Sequence, residues 1–280
     1  MIYLNERSPL PALTFLSAGV ALSSMAYLET FSTFYFLMGI FYINLVMIQM
    51  RLGDELKDYE KDKIINPTRP LPRGLITKSE VLLASKLIVL VIVITGLIVA
   101  YQFSPVGGLL LSLSTYFAWL MYKEFYIGEN LVKSPILYAL THQVIVFPLF
   151  GWIGLTMSSN LVDNKAYLGW LLANFGASFT YEICRKLNPD AHQLCGTYAH
   201  HYGPKKTILI CAVFMVISAF GAYLANIEQY CLPMIIILGL TLTNWIRKPK
   251  TFKLVEAMSV LFSTVILLTP AILWLMKRWN

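Results

Sequence analysis

Nine stretches of this chain read as membrane spans, and that pattern limits the fold more than any motif does. They lie at about 11–28, 33–53, 79–102, 105–123, 133–157, 165–186, 205–226, 231–246 and 251–276. A hydrocarbon core of about 30 Å takes roughly 20 apolar residues in helical form. Lipid offers no partner to a bare peptide group, so each run is expected to be an α-helix. The composition agrees: 57% of residues are hydrophobic and 13% charged, where a soluble domain carries about 25% charged. A water-soluble core could not be covered with so little polar surface. A net charge of +7 would suit nucleic acid, but the charges sit in short loops between apolar runs, and no nucleic-acid partner is expected. Arg7 before Leu13–Met25 has some look of a signal peptide; Glu6 in the leading segment and the many later runs make it the first membrane helix instead.

Lys and Arg set the orientation. With the N-terminus in the cytoplasm, only Lys165, Lys277 and Arg278 of the 22 Lys and Arg fall on the far side, a strongly positive-inside arrangement. The two long connections, about 54–78 and 187–204, are then both cytoplasmic and follow the second and sixth helices. The expected fold is therefore an all-α, multi-pass membrane protein of about nine helices and a single domain over 1–280. Two four-helix halves related as a pseudo-repeat, plus one helix, fit the matching connections.

The second run ends in Asp54, Glu55, Lys57, Asp58, Glu60, Lys61 and Asp62. On a continuous helix Asp54, Asp58 and Asp62 stack along one face over about 12 Å. Two readings fit: a solvated helix end in which acids alternate with Lys57, Lys61 and Lys63, or carboxylates that share a divalent cation. Oxygen-only ligands point to Mg²⁺, which bridges readily to phosphates. The sequel favours the second reading. Arg69 and Arg73 stand in a loop stiffened by Pro67, Pro70 and Pro72, which sets an anion site beside the acids.

These residues resemble the first motif of the UbiA superfamily of intramembrane prenyltransferases, N-D-x-x-D-x-x-x-D followed by R-P-L. Asp54, Glu55, Asp58 and Asp62 occupy the motif, with Asp54 in place of Asn and Glu55 in place of Asp, and Arg69, Pro70 and Leu71 follow. A second acidic motif after the sixth helix is similar but thinner. It holds Glu182 and Asp190, with Lys186 where the family usually has an acid, then Gly196, Thr197 and Gly203. The resemblance implies a helical bundle around a central cavity, with both acidic sites at its cytoplasmic mouth. It implies Mg²⁺ held by Asp54, Asp58, Asp62, Glu182 and Asp190. Contacts to an isoprenoid diphosphate would come from Glu55, Lys57, Arg69, Arg73, Lys123, Arg185 and Lys186. The prenyl group would pass to a lipophilic or aromatic acceptor within the membrane, the cell inner membrane if the source is bacterial. The same scaffold also fits terpene cyclisation, phosphoribosyl transfer to a lipid phosphate, or a non-enzymatic transporter or binding protein in which Lys186 neutralises the acids.

Other candidates carry two readings each. Lys123, after Tyr116 and Tyr122, is a cation for diphosphate or a snorkelling interfacial lysine. His142, Asn44, Gln49, Asn174 and Ser178 line an acceptor pocket or hydrogen-bond between helices. His192, Cys195, His200 and His201 fit no common zinc spacing. The four cysteines, Cys184, Cys195, Cys211 and Cys231, form no disulfide framework, and Cys184 and Cys211 read as apolar side chains.

Overall fold

The computed structural model describes residues 2–191 and 198–279, and every regular element among them is helical. In chain order these are α1 (Ile2–Arg7), α2 (Leu10–Ala26), α3 (Thr33–Lys57), α4 (Tyr59–Ile65), α5 (Lys78–Gln102), α6 (Pro105–Tyr122), α7 (Gly128–Val132), α8 (Pro135–Gln143), α9 (Val146–Met157), α10 (Lys165–Cys184), α11 (Tyr198–Tyr202), α12 (Pro204–Leu224), α13 (Glu228–Arg247) and α14 (Phe252–Trp279). A helix stands on each apolar run. Six of them are long and apolar enough to cross a membrane: α3, α5, α8 with α9, α12, α13 and the segment ending in α14. α2 is apolar but shorter, at 17 residues.

Local chemistry sets the helix ends. Thr77 caps α5 in a full capping box: its hydroxyl accepts from the Glu80 backbone N–H, and the Glu80 carboxylate accepts from the Thr77 N–H. Ser104 and Ser134 cap α6 and α8, each followed by proline at the first helical position, where its missing N–H costs nothing. Two expected continuities are broken. The run at 133–157 parts between α8 and α9, because Pro148 has no N–H for the Val144 carbonyl and its ring crowds that oxygen. The orphaned carbonyl accepts instead from Phe147 N–H at 3.1 Å. The acidic stretch parts at Asp58 (φ −89°, ψ 5°), between α3 and α4. Helical bonds still bridge that joint, Asp58 N to Asp54 O at 2.9 Å and Asp62 N to Asp58 O at 2.7 Å.

The chain divides into two compact units, one holding the described residues up to Leu131 with Pro148–Ser159, the other Val132–Phe147 with the described residues from Asn160 onward. In the first, α5 packs on α6, α2 on α3, and α3 against both α5 and α6. A Cβ on Gly108 of α6 would lie 2.3 Å from the Gly96 carbonyl of α5, so the two helices approach as only glycine allows. Gln49 and Thr115 tie α3 to α6 reciprocally: Gln49 Nε2 donates to the Thr115 carbonyl at 3.0 Å and the Thr115 hydroxyl to Gln49 Oε1 at 2.7 Å. In the second, α10 packs on α12 and α14, and α13 on α12 and α14. Ser218 of α12 donates to the Ala173 carbonyl of α10 at 2.8 Å. Small and polar residues thus face inward while Leu83, Leu87, Leu90, Ile94 and Leu97 of α5 face outward. In water such a face would aggregate; against lipid tails it is the expected surface.

Candidate active site

The end of α3, the joint at Asp58, α4 and the loop to α5 form the first acidic region, all within the first unit. Gly53 lets α3 close on α6: a Cβ there would meet Tyr122 Cβ at 3.1 Å. This brings the end of α6, with Tyr122 and Lys123, up to the start of the motif. The Lys123 ammonium lies over the rings of Tyr122 (4.6 Å) and Trp119 (5.4 Å), the posture of an interfacial cation on aromatic faces.

The three aspartates have different surroundings. Asp54, 39% exposed, faces Lys57 Nζ at 3.4 Å and Arg51 Nη1 at 3.6 Å. Asp62 is buried, its side chain 3% exposed, and accepts from Arg69 Nη1 at 2.5 Å and Asn66 Nδ2 at 2.9 Å. Asp58 between them is half-buried and makes no ion pair or hydrogen bond through its carboxylate among the described residues. Burial pushes its pKa up, and Asp54 and Asp62 push it the same way against the pull of Lys57 and Lys61. A half-buried carboxylate so placed is stabilised by an incoming cation.

Glu55 differs from its sequence expectation. Its side chain is fully buried and turned away from the loop arginines: Oε1 accepts from Nε of Arg7, and Oε2 has no hydrogen-bond partner. The face opposite Asp54 and Asp58 on α3 points into a cluster of Leu52, Leu71 and Val81, which decides the matter. Arg73 is likewise engaged, both Nη atoms donating to Glu6 (2.8 and 3.0 Å) and Nη1 also to the Thr68 carbonyl (2.8 Å). Glu6 and Arg7, which the sequence marks only as charges of the leading segment, and Gly53 are the contributors outside the sequence motifs. The one signal they offer is a charged pair inside an otherwise apolar leading segment.

The second acidic region lies in the second unit. Glu182 is buried in the last turn of α10, where Arg185 Nε donates to Oε2 (2.5 Å) and Lys186 Nζ to Oε1 (2.6 Å). Both carboxylate oxygens are thereby held by cations. Tyr198 of α11 lies under Lys186, 5.7 Å from ring centre to Nζ; burial, then the Glu182 charge, push its hydroxyl pKa up. Asp190 is exposed in the turn after α10. Gly203 caps α12 at φ +76°, a backbone state that favours glycine. Gly196, Thr197, His192 and Cys195 lie outside the described residues. His200 and His201 are neighbours on α11, with His201 against Tyr202.

The intramembrane polar residues resolve individually. Asn44 donates to Ser17 between α3 and α2, at 3.3 Å. Asn174 donates to the Trp170 carbonyl of its own helix, and His142 Nδ1 lies 2.7 Å from the Tyr138 carbonyl of its own.

Among the described residues no three His, Cys, Asp or Glu side chains converge as a metal cage. The first region nevertheless suits Mg²⁺ in kind: its acids are hard oxygen donors, and one is half-buried with no direct ion pair among the described residues. The second suits it less, with Glu182 already neutralised.

The sequence model of the UbiA prenyltransferase family matches residues 12–249. A digeranylgeranylglyceryl phosphate synthase of Methanosphaera stadtmanae is 26% identical over 192 residues, 65% of this chain and 64% of the relative. The chain thus spans just under two thirds of that relative's length. A solved structure of a digeranylgeranylglyceryl phosphate synthase in membranes superposes with a TM-score of 0.69 at 17% identity, covering 96% of each chain. At that identity the likeness is one of fold.

Proposed function

The chain belongs to the UbiA prenyltransferase family, and from that premise we propose that it transfers a prenyl group from an isoprenoid diphosphate to a lipophilic acceptor, with Mg²⁺ as cofactor. The observation that carries this reading is Asp58, half-buried with no ion pair through its carboxylate among the described residues, between two cation-paired aspartates and separated by α4 from the loop bearing Arg69. Asp58, with Asp54 and Asp62 to either side, would hold Mg²⁺. The metal would supply positive charge against the diphosphate as the allylic C–O bond breaks. Arg69, Lys57, Lys61 and Lys123 are the cations of this unit available to the same oxygens. The bond breaks toward the diphosphate, leaving positive charge on the allylic carbon; a nucleophilic atom of the acceptor then attacks it and loses its proton. An apolar surround keeps water from that carbon.

In the second unit, Glu182 would reach an ion only by releasing Arg185 or Lys186. We assign it to holding those two cations toward an anionic group, with Asp190 the acid still exposed. The remainder of the proposal is nine spans in two four-helix halves plus one, a central cavity, and a cytoplasmic mouth. Helices on all nine apolar runs, the Lys/Arg distribution and the fold likeness support it. The relative's product, named as digeranylgeranylglyceryl phosphate, favours geranylgeranyl diphosphate as donor and a phosphorylated lipid as acceptor.

The test is transfer by the purified full chain of labelled geranylgeranyl diphosphate to geranylgeranylglyceryl phosphate, with Mg²⁺ or with a chelator. Labelled lipid and diphosphate in equal amounts, formed only with Mg²⁺, are expected. Diphosphate binding without any product, from this or a quinone-precursor acceptor, would remove the enzyme reading.

A further inference from the structure

Two neighbouring residues of α1 hold the two sides of the proposed diphosphate site, and the chemistry above uses neither of them. Arg7 donates from Nε to the buried Glu55 in the last turn of α3. Glu6 receives both Nη atoms of Arg73 at the far end of the arginine loop, at 2.8 and 3.0 Å. Arg73 in turn spans its own loop to the Thr68 carbonyl. Behind this pair Tyr3 packs against the cluster formed by Leu52 of α3, Leu71 of the loop and Val81 of α5. Six residues of helix thus tie the end of α3, the arginine loop and the start of α5 together.

The loop is reinforced by α1 and not held by it alone. Its backbone bonds are local turns: Arg69 N to Asn66 O, Arg73 N to Arg69 O, Gly74 N to Leu71 O and Leu75 N to Pro70 O. Its ties outward include the Arg69–Asp62 pair, the Asn66–Asp62 hydrogen bond, the Arg73–Glu6 pair, the burial of Pro70 and Leu71, and Ile76 on the same cluster. Glu55 also gains a purpose. A carboxylate buried at a helix end is unfavourable unless a cation accompanies it, so Glu55 fixes where Arg7, and hence α1, must sit.

We propose that α1 is a clamp for the arginine loop, in which Glu6 and Arg7 are positioning residues and Glu55 is their anchor rather than a ligand of metal or substrate. The inference rests on reading Asp58 and Arg69 as the diphosphate site, and the experiment separates the two ideas. Glu6 is the arm to vary, because it is half-exposed and its loss leaves no charge buried.

Full-length protein in lipid nanodiscs is assayed for prenyl transfer as Glu6→Gln, Arg73→Gln, the exchange Glu6→Arg with Arg73→Glu, and Asp58→Ala. Glu6→Gln and Arg73→Gln are each expected to raise the donor KM by about three- to tenfold while kcat stays within about twofold, the pattern of lost positioning. The exchange should return KM to within about twofold of the parent. Independently of chemistry, trypsin should cut after Arg73 about fivefold faster in Glu6→Gln, since the loop opens more often. Unchanged cleavage, or an exchange no better than the two single changes combined, overturns the clamp. Full turnover in Asp58→Ala would overturn the site reading instead, whatever the protease shows.

Discussion

Replacing Arg69 by Gln removes the principal cation from a buried carboxylate, and the consequence can be sized from the geometry. The Asp62 side chain is 3% exposed and Arg69 30%. Breaking a fully buried pair costs about 3–5 kcal/mol, most of it the price of the charge left behind. Here the Asn66 amide still donates at 2.9 Å and Arg69 is partly solvated, which reduces the figure to about 2 kcal/mol. The loss falls on the loop first, because the backbone bonds from Asn66 to Asp62 O and from Arg69 to Asn66 O lie beside the pair. Native-state hydrogen exchange reads it: 2 kcal/mol is about thirtyfold lower protection at those amides. Asp62→Asn should cost only about 1 kcal/mol, near fivefold, since Arg69 can turn to water. The double change should be milder than Arg69→Gln alone, because no charge remains buried. Protection in Arg69→Gln within about threefold of the parent would refute the reasoning, as would a double change in which the two losses simply multiply.

Three further outcomes follow from the same structure. Asp58→Asn should raise the thermal midpoint of the protein in chelator at neutral pH, because burial there opposes the ionised carboxylate; a lower midpoint would mean that the charge has a partner. The capping box lowers the Glu80 pKa from 4.5 through its Thr77 bonds, so its stabilisation is present above pH 4.5 and lost as pH falls through the lowered value. Glu80→Ala and parent should therefore differ in stability at pH 7, and the gap should narrow on strong acidification, read by thermal unfolding. Gly221→Val would place a Cβ 2.4 Å from Ala173 N, parting α10 from α12 and costing about 1–3 kcal/mol. Cys184 and Cys211, with sulfurs 3.9 Å apart across that seam, should then cross-link less readily under mild oxidation.

Much of this was legible in the sequence, for reasons that differ by residue. Helices could be placed because about 20 apolar residues have one solution in lipid. Their starts were marked by Thr77 with Glu80, Ser104 with Pro105, and Ser134 with Pro135. The break before α9 was written in Pro148, whose effect falls on Val144, four residues back. Glu182 with Arg185 and Lys186 stands at i+3 and i+4, the spacing of helix ion pairs, so its neutralisation was also readable, although the family motif drew attention to metal instead. Glu55 could not be read this way. Its partner Arg7 lies 48 residues away, and nothing local says which face of α3 turns inward. The differing states of Asp54, Asp58 and Asp62 have the same origin, since equal spacing does not reveal which neighbour brings a cation.

The most direct test of the central claim is Mg²⁺-dependent diphosphate release from geranylgeranyl diphosphate by Asp58→Asn, beside the parent and with acceptor present. A fall of at least about a hundredfold in kcat is expected, in a protein that is folded and no less stable without metal. Turnover within about threefold of the parent, with the same Mg²⁺ dependence, would contradict it.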